Sequence, residues 1–285
     1  MKQGAGYVTI AQNTDSTDYL ELAYIQALSI KLTQKQYTNY TVLVDERTRN
    51  DMQSEYLDVF DNVIDLMQDD ARDHDWKLAN EWQVGRLTPY KETVKIESDI
   101  LVTTNIDHWW RIMQEREVCI CTNIRDWEGN INNTMRYRKL FVENNLLNAY
   151  NGFSYFRFGR HSEEFWQTLH YVYQHWPMYR DKILKNCREE HVSTDVAYAV
   201  TAKLVGEEHC HLPYTTPSFV HMKGAVNGWH SGLNWQDHLI AQLDNNGVLS
   251  FNTQKQMYPV HYFIKDKKFV KRIRQSLERI FQSNK

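Results

Sequence analysis

Thr93-Val-Lys-Ile-Glu-Ser-Asp-Ile-Leu-Val102 reads as an apolar strand interrupted by two acids, and it decides how the rest of the chain is understood. A run of Val, Ile and Leu this dense belongs to a strand covered on both faces, as in a parallel sheet with helices on either side. Glu97 and Asp99 are spaced i, i+2. They project the same way if the strand continues, or are splayed by a turn that lets both reach one divalent cation. Burying unpaired carboxylates costs several kcal/mol each, so acids at the end of a core strand call for a metal, a base or water beside them. The alternative is a strand that simply exits to solvent here.

Upstream, Tyr7-Val-Thr-Ile-Ala11 is a short strand, and Asn13-Thr-Asp-Ser-Thr-Asp18 supplies helix N-cap candidates. Leu20, Ala23, Tyr24, Ala27 and Leu28 recur at helical spacing, and Tyr40-Thr-Val-Leu-Val-Asp45 is a buried parallel strand ending in an acid. This βαβ opening has no G-x-G-x-x-G in its first loop, which removes the usual dinucleotide-binding fingerprint. Residues 56–67 mix helical and strand signals, 75–87 read as a helix, 107–113 start another, and 118–121 form a strand. Downstream, aromatic strand-like pieces from Tyr150 alternate with helices over 162–176 and 194–205, and loops cover 212–218 and 224–234. Such alternation predicts an α/β fold with a mixed, mostly parallel central sheet in one continuous domain.

The chain of 285 residues is 42% apolar and 24% charged, which excludes disordered, collagen-like and fibrous classes. No apolar run is long enough to span a membrane and Met1–Gly6 lacks a signal-peptide core, so the expectation is a soluble, cytoplasmic protein. Cys119, Cys121, Cys187 and Cys210 are too sparse for a disulfide framework, and Cys119 and Cys121, on one face of a strand, are read as buried thiols rather than metal ligands. Residues 265–285 carry eight Lys or Arg against Asp266 and Glu278, leaving the remainder acidic. Phe269, Ile273, Leu277, Ile280 and Phe281 share one face of this tail. It is either a docked helix with a solvated basic face or a contact for phosphate, on DNA or on a membrane surface. A second acidic cluster, Asp73-His74-Asp75, has no strand before it and reads as a solvated helix start.

Phe219-Val-His-Met-Lys-Gly224 suits a diphosphate and metal site. An imidazole (His221) fills a cation position, an ammonium (Lys223) balances phosphate, and Gly224 lets backbone approach closely. With Glu97 and Asp99, His221 forms a carboxylate and imidazole set suited to Mn²⁺ or Mg²⁺ rather than a thiolate-loving ion.

The order of these motifs resembles the retaining, glycogenin-like branch of the A-fold glycosyltransferases. Glu97-Ser98-Asp99 resembles its D-x-D motif, and His-Met-Lys-Gly with Trp229 resembles its H-x-x-G-x-x-K-x-W region. Tyr150-Asn151-Gly152 resembles its N-x-G strand, and Ser193-Thr-Asp195 its D-Q-D helix start. The segment Thr9 to Trp229, roughly four fifths of the chain, is also similar to uncharacterised glycosyltransferase-like proteins of tailed phages. Departures are Glu97 in place of the first Asp, Asn151 directly before its glycine, and Lys223 before rather than after Gly224.

The resemblance implies a Rossmann-like glycosyltransferase domain over 1–264, with a nucleotide-sugar half (1–122) and an acceptor half (123–264), followed by the basic helix 265–285. It implies a metal on Glu97, Asp99 and His221, and a nucleotide-diphosphate sugar, taken as a UDP-sugar. Contacts to that donor would come from Thr9, Ala11, Gln12, Asp45, Ser98, Asn151, Gly152 and Gly224. Asp45 could equally be a turn acid, and Asp195 either a helix-start acid or the carboxylate beside the reacting carbon. Asp195 and Lys223 are the catalytic candidates, stabilising the oxocarbenium-like sugar and the departing diphosphate. Trp229, Arg180 and Lys182 are expected on the acceptor side, in a chain rich in aromatic residues. The phage likeness, which would place the protein in a host cytoplasm, points to a hydroxymethylated DNA base as acceptor. A glycan or lipid-linked acceptor is the alternative, and a catalytically silent nucleotide-binding or virion-interaction protein is the reading from another class.

Overall fold

The β-branched stretches of the N-terminal half set the frame of the computed structural model, which describes residues 2–74, 76–132, 138–230 and 234–284. Ala5–Ala11 (β1) and Tyr40–Val44 (β2) pair in parallel, with Val8 opposite Thr41 and Ile10 opposite Leu43. The crossover between them is the helix Tyr19–Thr33 (α1). Asp18 caps it by accepting from the Glu21 N–H at 2.8 Å, and Leu20 through Ile30 are largely buried. Asn62–Asp65 (β3) adds parallel to β2, and Glu92–Ile96 (β4) adds parallel to β1. The strand expected over 93–102 is therefore divided: it breaks after Ile96 and resumes as Ile100–Leu101 (β5), with Glu97, Ser98 and Asp99 in the turn.

After the helix Asp107–Met113 come Val118–Cys121 (β6), Asn123–Arg125 (β7) and Tyr150–Arg157 (β8). Because β8 runs antiparallel to both β4 and β6, the six-stranded sheet β3-β2-β1-β4-β8-β6 is mixed and mostly parallel. Ser218–His221 (β9) is followed by a small meander of Ala241–Leu243 (β10), Leu249–Phe251 (β11) and Gln254–Lys255 (β12), and then by Val260–His261 (β13). A second sheet, β5-β13-β9-β7, stands on the carboxyl side of β4.

The helix expected over 75–87 is a 3₁₀ segment, Lys77–Gln83, passing into a short turn of α-helix at Val84–Leu87; Asp75 lies outside the described residues. Tertiary hydrogen bonds hold this segment. Asn80 donates to Asp69 at 2.7 Å and to Gln12 at 2.9 Å, while Gln83 accepts from the Met67 N–H at 2.8 Å and donates to the Gln68 carbonyl at 2.7 Å. Helices Arg160–Gln174 and Thr194–Val205 cover one face of the main sheet, and α1 covers the other. The four cysteines are free; Cys119, Cys121 and Cys210 are buried, and burial pushes the Cys121 thiol up to about 12.

The basic tail is the helix Lys267–Ser283, capped by Asp266 at 2.8 Å from the Phe269 N–H. Phe269, Val270, Ile273 and Leu277 join the core built on β1, β2 and α1. Arg274 ties the helix to Glu21 (3.0 Å) and Glu55 and pairs within the helix with Glu278 (2.8 Å), whereas Lys267, Lys268, Lys271, Arg272 and Arg279 lie on its outer side. Leu277→Ala is expected to cost about 2–5 kcal/mol and lower the thermal midpoint. Lys271→Gln, on the solvated side, is expected to stay within about 0.5 kcal/mol in the same melting experiment.

Candidate functional site

The turn that carries the two acids is fixed from three sides. The Glu97 N–H donates to the Gly152 carbonyl on β8 at 2.9 Å, and the Ile100 N–H closes the turn on the Glu97 carbonyl at 3.0 Å. From α1, the fully buried Gln26 donates to the carbonyls of Glu97 (2.6 Å) and Ile100 (2.7 Å), and its own oxygen accepts from the Tyr40 hydroxyl at 2.7 Å. Gly152 leaves room for the Glu97 side chain, since a Cβ there would stand 3.3 Å from Glu97 Oε2 and 3.1 Å from both Ile100 and Phe219.

The second sheet delivers the nitrogens. His261 on β13 lies in register with Ile100 on one side and His221 on the other. Neighbouring strands are about 4.8 Å apart, so two rings at the same register of a parallel pair are brought into stacking distance. The imidazoles do stack, with centroids 4.6 Å apart and planes 3° from parallel. His261 Nε2 stands 3.1 Å from Asp99 Oδ1 and 3.6 Å from Glu97 Oε2, while Lys265 Nζ is 2.6 Å from Asp99 Oδ2. The nitrogen among the acids is thus His261. His221, assigned to that position from the sequence, lies one strand further out with its ring behind His261.

Burial alone would raise the pKa of Asp99, but His261 and Lys265 outweigh it and hold the carboxyl below its ordinary range. Glu97 goes up, because burial exceeds the help it receives from His261 and Lys95. Burial works against a charged His261, yet Asp99 and Glu97 draw its pKa upward. His221 goes down, through burial and then the positive His261 and Lys223. Ligand atoms of Glu97, Asp99 and His261 all lie within 4.8 Å of one another among the described residues. Two carboxylates and one imidazole are a donor set that fits Mn²⁺ or Mg²⁺.

These groups wall a cavity of about 440 Å³ at the carboxyl ends of β1 and β4, where open α/β sheets bind ligands. Of the residues singled out from the sequence, Thr9, Gln12, Ser98, Asn151, Gly152, Asp195, His221 and Lys223 line it with the two acids. Asp195, in the first turn of Thr194–Val205, accepts from the Asn151 N–H at 2.8 Å and from Arg138 at 2.7 Å. Ala11, Asp45, Gly224, Trp229, Arg180 and Lys182 are not among the lining residues. Asp45 caps a short helix by accepting from the Thr48 N–H at 2.7 Å and takes a bond from Gln12 at 2.9 Å. Gly224 makes a tight turn whose carbonyl accepts from Trp229, and Arg180 is held by Asp181.

The sequence reading passed over His261, Lys265, Lys95 and Glu81. His261 sits in a two-residue strand too short to show periodicity, and Lys265 was counted with the basic tail. Lys95 left a signal, a lysine between Val94 and Ile96 inside a strand predicted to be buried, which requires an acid partner.

No protein-family model and no curated protein matches this sequence. Among solved structures, the chain is similar to the glycosyltransferase GlyE of Streptococcus pneumoniae TIGR4, at 10% identity and a TM-score of 0.52, over 99% of this chain and 63% of that one. It is similar to the apo form of the bifunctional glycosyltransferase WbbM at 13% identity and a TM-score of 0.55, over 99% of this chain and 52% of that one. The chain therefore spans between half and two thirds of the length of these relatives, and it shares their A-type glycosyltransferase fold.

Replacing Gln26 with Ala removes one of the two donors to the Glu97 carbonyl, the side-chain donor to the Ile100 carbonyl and the acceptor of the Tyr40 hydroxyl, all in the interior. Gln26→Ala is expected to cost about 3 kcal/mol or more in denaturant unfolding, beyond what an exposed Gln→Ala would cost.

Proposed function

We propose that this chain is a metal-dependent glycosyltransferase that moves a sugar, with retention of configuration, from a nucleoside-diphosphate donor to an acceptor hydroxyl. The observation that carries the reading is the convergence of Glu97, Asp99 and His261 on one wall of the 440 Å³ cavity, in a fold shared with glycosyltransferases. A divalent ion held by these three residues supplies positive charge to a departing diphosphate. Lys265 and Lys223, both lining the cavity, add ammonium charge on the same side. Asp195, oriented by Arg138 and the Asn151 N–H, offers the opposite charge to a sugar carbon that becomes cationic as its bond breaks. A UDP-sugar is the donor we favour.

For the acceptor we propose a hydroxymethylated base of duplex DNA. What supports this reading is the row of solvated cations Lys267, Lys268, Lys271 and Arg272 on the tail helix, two residues beyond Lys265 of the cavity lining; the cleft between them, which Lys265, Lys267 and Lys271 share with Asp15, Asp18, Glu21, Asp51 and Glu278, is as a whole balanced in charge. Phe269 and Leu277 belong to the core, so the test of this row removes charge rather than the helix.

Melting the protein with UDP-, GDP- and CDP-sugars, with and without Mn²⁺, is expected to give a donor-dependent rise only when metal is present. Asp99→Asn and His261→Ala should each abolish that rise and reduce Mn²⁺-dependent donor hydrolysis by about a hundredfold. An absence of turnover and of binding with every donor would favour the silent reading. The quadruple variant Lys267→Gln, Lys268→Gln, Lys271→Gln, Arg272→Gln is expected to weaken duplex DNA binding and flatten its log–log salt dependence by about 0.9 for each phosphate no longer neutralised. Unchanged DNA affinity together with binding to anionic vesicles would move the acceptor to a membrane surface.

A further inference from the structure

The floor of the cavity contains an ion pair that neither the acid turn nor the tail helix explains. Lys95, inside β4, faces Glu81 of the 3₁₀ segment; their side chains are 1% and 4% exposed and in direct contact. Lys95 Nζ also donates to the Asn151 carbonyl at 3.0 Å, and Asn151 Nδ2 donates to Glu81 Oε1 at 3.0 Å. Asn151 Oδ1 is buried with no partner among the described residues. All three residues line the cavity. A buried ion pair is no more stabilising than a well-packed apolar pair of similar volume, so packing alone gives no reason for charge at this place. The pair is neutral in sum and adds no net attraction for a diphosphate. What it places at the cavity lining is hydrogen-bond acceptors: the Glu81 carboxylate, nearly buried and held in place by Lys95 and Asn151, beside the buried, unfilled acceptor of Asn151. Two neighbouring acceptors are complemented by a ligand that presents adjacent O–H donors, the signature of a sugar ring.

We infer that Glu81, positioned by Lys95, accepts hydrogen bonds from adjacent hydroxyls of the donor sugar and thereby selects donors in which those hydroxyls are free. The inference rests on the nucleotide-sugar reading and deepens it. The location agrees, because Asn151 is flanked by Asp195 at its N–H while the next residue, Gly152, abuts Glu97; the floor therefore adjoins the proposed metal end, where the sugar joins the diphosphate.

The experiment compares the wild type with Glu81→Gln and with the paired replacement Glu81→Leu, Lys95→Met, which leaves no buried charge stranded and so keeps the measurement available if Glu81→Gln fails to fold. Mn²⁺-dependent hydrolysis is measured for the best donor found in the nucleotide-sugar screen and for its 2-, 3-, 4- and 6-deoxy analogues, alongside melting shifts with the bare nucleoside diphosphate. The wild type should lose at least about tenfold in kcat/KM on two adjacent deoxy positions, because removing a ligand hydroxyl leaves a buried acceptor unpaired. In the paired variant that discrimination should shrink towards one, while the shift with the nucleoside diphosphate persists. A purely structural role would slow all five donors alike, and an unchanged discrimination ratio in the folded paired variant overturns the inference while leaving the donor reading intact. Failure of every nucleoside diphosphate to shift the wild type overturns both.

Discussion

One buried amide governs the geometry of the acid turn. Gln26 bonds the two carbonyls that bracket Ser98 and Asp99, and Tyr40 fixes the amide's own orientation. The helix α1 and strand β2 thereby determine where the carboxylates of the β4–β5 turn stand. Without this clamp the Glu97 carbonyl would keep only its bond from the Ile100 N–H, and the Ile100 carbonyl and Tyr40 hydroxyl would lose a buried partner, at about 1–3 kcal/mol for each group left unpaired. The clamp also explains how a turn can sit in the interior rather than at the surface.

The second constraint is strand register. His261 and His221 share a level on adjacent parallel strands, so whatever fixes β13 against β5 and β9 fixes both rings against the acids. One ring meets the carboxylates and the other lies against the first. Their titrations are driven apart accordingly, His261 upward by Asp99 and His221 downward by burial and by His261 itself. Two chemically identical side chains thus acquire different roles from one strand spacing.

Much of the fold was legible because burial on both faces leaves an apolar signature in the sequence. β1, β2, the helix Thr194–Val205 and the tail helix all follow from residue pattern. The Glu97 and Asp99 turn was legible for a related reason: acids at the end of an apolar strand are costly enough to demand an explanation. His261 was not, since a two-residue strand has no period to detect and its acid partners, Glu97 and Asp99, are far away along the chain. The 3₁₀ segment escaped because side-chain bonds of Asn80 and Gln83 to the 67–70 loop, not helical periodicity, hold it, and Glu81 was missed with it. Asp45 shows the converse: a strand-terminal acid in a suggestive place that does not line the cavity, one oxygen capping a helix and the other accepting from Gln12.

The tail helix joins these themes. Its apolar face completes the core against α1, the helix that carries Gln26, and the residue just before its cap, Lys265, supplies the counter-charge of Asp99. Asp266 accepts from the Phe269 N–H, so the start of the helix is fixed within one residue of that ion pair. Docking of the helix and charge balance at the acids are therefore one event. Undocking would expose Phe269 and Leu277 and at the same time leave a buried carboxylate short of a cation. The same coupling puts Lys267 and Lys271 in the lining of the cleft that shares Lys265 with the cavity, so the tail helix brings cations beside the site without a separate arm.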